Sequence, residues 1–400
     1  MSLSESAAKI ADRLRTMEFV HVYAHHDADG IASAAILTIA LNRAHIGFRL
    51  RFLPQLRAED VEVPEISVLC DLGAAVSDLS ESVIIIDHHV PYAKTPYHIN
   101  PRLEGIDGEC ELSAAGCAYL VASALNRDNM DLASLVMAGI IGDKQHLSGM
   151  NQTIIGEAIG NNLVVPGKGI LLPGRTTKEQ IEAASSPYLP ELSGNAEAAA
   201  RIEALCQEKT SDEAYASLML SEIVLRSHAS AASLMQVYGP AWKLSREVIS
   251  DAHSLAAVID ACGKAGRADL GFAVAAGDAS RVDEAWETAV RFRKHIIENT
   301  AAAKELKHHV WEVPDADAAS DVADMFAAEL SSPVLVVGRA SSYLKVSARA
   351  PAGSDVNFEQ FMKQSVKQFG GSGGGHMSRA GGELPLECEA AFLASVPEFA

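Results

Sequence analysis

An open α/β sheet is the fold this sequence predicts, on three observations. Short apolar runs alternate with helix-like segments through the first 145 residues. Two of those runs, 66–70 and 83–86, are almost wholly apolar, as strands covered on both faces are. Acids and histidines stand directly after the runs, at the carboxyl ends where open parallel sheets bind ligands. The expected arrangement is α/β throughout: a parallel-sheet N-terminal domain over 1–195, a helical connector over 196–310 and a smaller α/β C-terminal domain over 311–400.

Taken in order, residues 19–23 are a β-rich run that leads into His25-His26-Asp27-Ala28-Asp29-Gly30. Residues 31–41 are small and apolar and predict a buried helix. Residues 46–53 alternate apolar and basic side chains and predict a strand. Leu112-Ser113 opens a helical pattern that runs to Leu125, with Ser113 as its N-cap. Residues 131–141 predict a further apolar helix that ends at Gly142-Asp143. The stretches 164–174 and 185–194, rich in Gly, Pro and Ser, predict bridging loops. From Glu197 to about His309 the pattern is mostly helical. Residues 282–309 read as one helix, about 40 Å long, with His308 and His309 at its end. The last part predicts strands over 334–337 and 344–348, a helix over 358–369 and a glycine-rich loop over 370–375.

Composition narrows the function. Lys+Arg number 33 and Asp+Glu 52, a net charge of −19, which argues against a broad basic surface for long duplex nucleic acid. A local basic groove remains compatible with it. The six cysteines (Cys70, Cys110, Cys117, Cys206, Cys262, Cys388) are scattered with no C-x-x-C pair, so buried thiols are expected rather than a disulfide scaffold or zinc ribbon. No apolar stretch approaches the ~20 residues of a membrane helix, and the N-terminus lacks an apolar signal core. A soluble cytoplasmic protein with no membrane partner is expected.

The chemistry is carried by His25-x-Asp27-x-Asp29, Asp71, Asp87-His88-His89 and Asp143, with His146 three residues further on. Carboxylate oxygen and imidazole nitrogen are ligands for manganese, magnesium or zinc. Singly, an Asp after a strand is most often a turn or cap residue. Together, convergent carboxylates stay ionised in a closed site only if cations compensate them. Four Asp and two His suffice for two metals with positions left for water and substrate, the arrangement that clamps a phosphoryl displacement.

These segments, with Gly142 before Asp143, resemble the four motifs of the DHH phosphoesterase superfamily. Gly373-Gly374-Gly375-His376 followed by Arg379-Ala380-Gly381-Gly382 resembles the glycine-rich motif of the DHH-associated domain, and Val346-Ser347-Ala348-Arg349 its Ser-x-Arg strand. Leu172-Pro173-Gly174, residues 186–194 and Ala261-Cys262-Gly263-Lys264 make the chain most similar to the RecJ-like proteins of archaea, with Lys264 where Arg is usual.

The resemblance implies two manganese ions, with magnesium or cobalt as substitutes. His25 and Asp27 would hold one, Asp29, His88 and Asp143 the second, and Asp71 would bridge them. A bridging water, acidified by both, would attack the phosphodiester as hydroxide. Asp71, His88 and His89 are the expected catalytic residues, with His89 on a phosphate oxygen. Glycines in the C-terminal motif let backbone approach a phosphate closely. Gly373, Gly374, Gly375, His376, Arg349 and Arg379 join His89 as expected substrate-binding residues. The activity implied is that of an exonuclease on single-stranded nucleic acid, DNA from 5′ to 3′, with RNA open. Two alternatives stand beside it. One is a phosphodiesterase or phosphatase for short oligonucleotides, cyclic dinucleotides or nucleotide bisphosphates. The other is a partner of archaeal replication or repair proteins, with weak catalysis.

Overall fold

The structure, a computed structural model, describes residues 2–207, 211–351, 353–375 and 377–397. The chain forms two compact units. The first is 1–168 with 240–289, and the second is 169–239 with 290–400.

In the first unit, α1 (Leu3–Leu14) starts at a capping box made by Ser2 and Glu5 and buries Leu3, Ala7, Ile10, Ala11 and Leu14 at helical spacing. Then follow β1 (Phe19–His25), α2 (Ala28–Arg43), β2 (Gly47–Leu53), β3 (Ser67–Cys70), β4 (Ile84–Ile86) and β5 (His98–Ile99). The five strands are parallel, in the order β2-β1-β3-β4-β5. In register, Tyr23 pairs with Leu69 and Leu69 with Ile85. These three point to one face and pack with Leu56, Val61 and Leu72. The alternate set, Val22, Ala24, Val68, Cys70, Ile84 and Ile86, is equally buried, and α2 lies against β1 and β3. Burial on both faces is why these strands read as continuous apolar runs.

The helix α3 (Ala114–Leu125) has the expected cap, Ser113, whose side chain accepts from Gly116 N. The helix expected over 131–141 differs. A 3-10 stretch, Arg127–Leu135, precedes α4 (Val136–Gly142). Asn126 caps that stretch with its own side chain, so the chain tightens before the apolar run. α5 (Gly149–Gly160) follows.

The segment expected as a loop over 164–174 begins as a strand. β6 (Val164–Ile170) pairs with β7 (Tyr238–Leu244), and the division between units falls inside both. Between them lie α6 (Thr177–Glu182), α7 (Ala196–Cys206), α8 (Asp212–Arg226) and α9 (Ala231–Met235). Beyond β7 come α10 (Ala252–Lys264) and α11 (Ala268–Ala275).

The stretch 196–310 is therefore no unit of its own. α10 packs on α2 and α4 and belongs to the first unit. Ile202, Met219 and Ile223 pack with Leu172, Leu189 and Val237 in the second. Helical periodicity shows which residues share a face, and that is the same whichever partner covers it.

The expected helix over 282–309 ends early. α12 (Val282–Ala302) has 21 residues, and Lys304–Lys307 is β8. His308 and His309 form the turn to β9 (Val310–Val313), with His309 at φ 60° and the two rings stacked. The second unit continues with α13 (Ala319–Leu330), β10 (Val334–Arg339), β11 (Tyr343–Arg349), α14 (Phe358–Phe369), β12 (Ser372–Gly375), β13 (Arg379–Pro385) and α15 (Glu389–Ser395). Its sheet order is β12-β13-β11-β10-β9-β8. Phe358, Met362 and Phe392 pack on Leu335, Leu344, Val346 and Leu384. The glycine-rich stretch expected as a loop is largely edge strand β12, paired with β13. All six cysteines are unbridged, and four of them are buried. Among the described residues no helix is long and apolar enough to cross a membrane.

Candidate metal centre

The chain enters the sheet at β1, goes to β2 on one side, then crosses to β3 on the other. At such a reversal the connections diverge and open a crevice at the carboxyl ends. His25 ends β1, Asp71 follows β3, and Asp87 follows β4. Asp71 adopts φ 57°, a left-handed conformation that Asp tolerates better than most residues. Asp27 is the N-cap of α2, its Oδ1 accepting from Gly30 N at 3.0 Å. The capping role expected of a lone Asp is real here, and the other oxygen remains for the site.

The side chains converge. His25 Nδ1 lies 2.8 Å from Asp27 Oδ2 and 3.4 Å from Asp71 Oδ2. His88 Nε2 lies 3.1 Å from Asp143 Oδ2, 3.4 Å from Asp71 Oδ1 and 3.8 Å from Asp29 Oδ2. His89 Nδ1 lies 2.8 Å from Asp87 Oδ1. Three groups have donor atoms mutually within 4.8 Å: His25–Asp27–Asp71, Asp29–His88–Asp143 and Asp71–Asp87–His88–His89. The first two are the sets expected for two cations, and Asp71 faces both His25 and His88. His146 stands in none of the three groups.

The donor set fits divalent cations. His25 Nδ1, Asp71 Oδ1 and His88 Nε2 are buried and face one another and the neighbouring carboxylates without a well-aligned hydrogen bond. Neighbouring ligands on an octahedral cation at about 2.1 Å stand about 3 Å apart, close to the spacings above. Charge argues the same way. Burial and then the Asp143 and Asp71 carboxylates push the Asp29 pKa well up, and burial and then Asp27 push up Asp71. Burial alone would lower His25 and His88, but the surrounding carboxylates outweigh it and raise both. Without cations the cluster holds extra protons. Divalent cations would release them.

Orienting contacts fix the donors. His88 Nδ1 lies 2.6 Å from Gly108 O, which turns Nε2 toward the carboxylates. Asp29 Oδ2 and Oδ1 accept from Ala114 N at 2.7 Å and Ala115 N at 2.8 Å, at the start of α3. A Cβ at position 139 would collide with Asp29 Oδ1, so α4 approaches that carboxylate only through Gly139. A Cβ at position 263 would collide with the His26 carbonyl, so Gly263 lets α10 close on the β1–α2 turn, where Asp260 also accepts from Ala28 N.

Sequence reasoning placed Asp87 in the Asp-His-His motif but gave it no role of its own. It accepts from Ala74 N, His88 N, His89 N and His89 Nδ1, and these contacts hold its pKa below the usual range despite burial. Its place inside the Asp-His-His motif was the available signal. Gly108, Asp260 and Gln145, whose Nε2 donates to Gly108 O at 2.9 Å, carried none. Asp260 meets Ala28 across 232 residues of chain.

In the second unit, Gly373 and Gly374 on β12 pair with Gly382 and Gly381 on β13, and Gly375 pairs with Ala380. Arg349 and Arg379 are directly paired across β11 and β13. Arg349 donates to Asp324, Ser320 and the carbonyls of Ala348 and Ala380, and Arg379 donates to Asp324. His376 lies outside the described residues.

Comparison with known proteins follows this division. Residues 19–140 match the DHH family, N-terminal domain, and 304–400 match the DHHA1 domain. An uncharacterised protein of Methanocaldococcus jannaschii is 25% identical over 409 residues, 95% of this chain and 93% of its own length. The single-stranded-DNA-specific exonuclease RecJ of Thermus thermophilus is 28% identical over 184 residues, covering 39% of this chain and 27% of that protein. A solved structure of RecJ from that organism, in complex with Mn2+, aligns at TM-score 0.60 and 20% identity over 98% of this chain. This chain spans 53% of that structure. CDC45 of Entamoeba histolytica aligns at TM-score 0.62 and 12% identity, over 98% of this chain and 97% of its own. At these identities the structural likeness shows the fold.

Proposed function

We propose that this chain, which belongs to the DHH phosphoesterase superfamily and is RecJ-like, is a manganese-dependent phosphodiesterase that removes nucleotides from single-stranded nucleic acid. DNA degraded from 5′ to 3′ is the first substrate to test. The observation that carries the reading is the convergence of three buried donor atoms, His25 Nδ1, Asp71 Oδ1 and His88 Nε2, on one carboxylate cluster.

Position supports the following roles. His25 and Asp27 would hold one cation, Asp29, His88 and Asp143 the second, and Asp71 both. The cations would neutralise the phosphodiester and acidify a water. His89 would donate to a phosphate oxygen, its ring held by Asp87 at Nδ1. Gly108 and Asp87 would keep the imidazoles aimed while the substrate exchanges. In the second unit, Gly373 to Gly375, His376, Arg349 and Arg379 would bind the strand.

The net charge of −19 favours a second reading, in which short oligonucleotides or other small phosphodiesters are the true substrates. One experiment tests both. Single-stranded DNA and RNA of graded length, labelled at either end, are incubated with the protein in manganese and in EDTA, beside Asp71→Ala. Stepwise shortening of long strands, with metal and intact Asp71 only, supports the exonuclease, and the label position gives its direction. Turnover of the shortest strands alone supports the second reading. Cleavage that survives Asp71→Ala overturns both.

A further inference from the structure

Arg349 and Arg379 are held as a directly opposed pair in the antiparallel register of β11 and β13. Two cations so placed repel. One carboxylate, from α13, joins them. Asp324 Oδ1 accepts from Arg349 Nε at 2.6 Å, and its Oδ2 accepts from Arg379 Nη2 at 2.8 Å. Ser320, one turn earlier on the same face of α13, accepts from Arg349 Nη2 at 2.6 Å.

The two arginines are unequal. Arg349 also donates through Nη1 to Ala348 O at 3.0 Å and Ala380 O at 3.3 Å, so Nε and both Nη atoms are engaged, and its side chain is 12% exposed. Arg379 is 44% exposed, and its bond to Asp324 uses one Nη. A carboxylate with an oxygen on each of two guanidinium groups has the geometry of a phosphate gripped by the same pair. An anion that reaches Arg379 therefore meets Asp324 as its competitor.

We propose that Asp324 is a specificity-determining residue: its carboxylate occupies the Arg349–Arg379 pair as an internal substitute for phosphate, and a substrate phosphate binds by taking Arg379 from it. The inference rests on the reading of Arg379 as a substrate-binding residue. It follows that the pair discriminates by charge. A phosphate displaces the carboxylate, and a neutral hydroxyl end does not. Asp324 also keeps the trio at a net charge of +1, which limits capture of unrelated anions.

The test is equilibrium binding to the full chain in EDTA, so that nothing is cut. The probe is a short single-stranded oligonucleotide, phosphorylated at one end, at the other or at neither. Wild type, Asp324→Asn, Arg379→Gln and the double variant are compared, with thermal unfolding to confirm that each is folded. Asp324→Ser is the second uncharged variant, should the asparagine not fold. The expected result is about fivefold tighter binding of a phosphorylated strand by Asp324→Asn. Its salt dependence should steepen by about 0.7 in log–log slope, one more phosphate neutralised. Both gains should vanish in the double variant. Weaker binding in Arg379→Gln with no gain in Asp324→Asn overturns the role of Asp324 and leaves the substrate role of Arg379 standing. No effect of either variant overturns both.

Discussion

His88 Nδ1 lies 2.6 Å from the carbonyl oxygen of Gly108. A carbonyl only accepts, so Nδ1 carries the hydrogen. In the neutral ring Nε2 then keeps its lone pair, and Nε2 is the atom 3.1 Å from Asp143 and 3.4 Å from Asp71. When a cation takes the place of the Nε2 proton, the Gly108 carbonyl holds the ring in the tautomer that the metal needs.

Metal stoichiometry should separate the two sets of donors. His88→Ala removes a donor from one set and His25→Ala from the other, so each should bind one cation tightly and the second weakly. Asp71→Ala should weaken both and lower the cleavage rate by about a thousandfold or more. Titration calorimetry with manganese measures the count. Equal losses in all three variants would contradict the division into two sets.

Metal should also stabilise the fold, because bound cations answer the repulsion that burial, Asp143 and Asp71 impose on Asp29. At a hundred times the dissociation constant the gain is about 2.7 kcal/mol for one site. Thermal unfolding with and without manganese should show a rise in Tm, and Asp71→Ala should abolish most of it. A rise of the same size in Asp71→Ala would place the binding elsewhere.

Asp87 should behave as a residue that orients. Its two oxygens accept from Ala74 N, His88 N, His89 N and His89 Nδ1, and it is 1% exposed. Asp87→Asn puts an N–H2 where donors already point. The expected loss is about tenfold to a hundredfold in metal affinity or activity, with about 2–4 kcal/mol of stability from disrupted buried bonds. A variant with unchanged manganese affinity would show that His88 and His89 are held by other contacts.

Much of this was legible in the sequence, and the reason is local. The runs that became β3 and β4 are buried on both faces, and the candidate metal donors follow within one to three residues. Ser113 and Asp27 cap helices with their own side chains, a signal contained in a few positions. What sequence could not supply was partnership. The helical pattern of α10 is the same whether it packs on α2 or on α9, so 196–310 read as one connector. The stretch 304–307 carries two lysines and a glutamate and extended the apparent helix. It became β8 because β9 supplies a partner strand. The glycines of β12 read as a loop for lack of side chains, and pairing with β13 makes them a strand. Glu247 and Ser134, 113 residues apart, gave no sign of meeting.

Gly139 offers a test of close approach. Gly139→Ala would drive a methyl into Asp29 Oδ1 and the Ala115 side chain, so metal binding and activity should fall together. Gly156, in α5, has nothing within 4 Å of where its Cβ would stand. Gly156→Ala should leave activity unchanged and stabilise by about 0.5–1 kcal/mol, since alanine suits a helix interior better. Equal tolerance of both would remove the steric argument for Asp29.

Glu247 gives the pH dependence its sign. It is 8% exposed, and Ser134 donates to its Oε1 at 2.5 Å. Burial raises its pKa above the usual 4.5, and Arg246 beside it only partly opposes the shift. The native carboxyl therefore holds its proton more readily than the unfolded one. Its contribution to stability is complete below the ordinary glutamate value and is lost as pH rises through the higher native value. Glu247→Gln does not titrate and keeps an oxygen to accept from Ser134. The variant should match wild type in Tm near pH 4 and exceed it increasingly toward pH 7, while other groups shift both proteins alike. A difference independent of pH would mean that Glu247 is ionised in the fold at both values, its charge answered by Arg246.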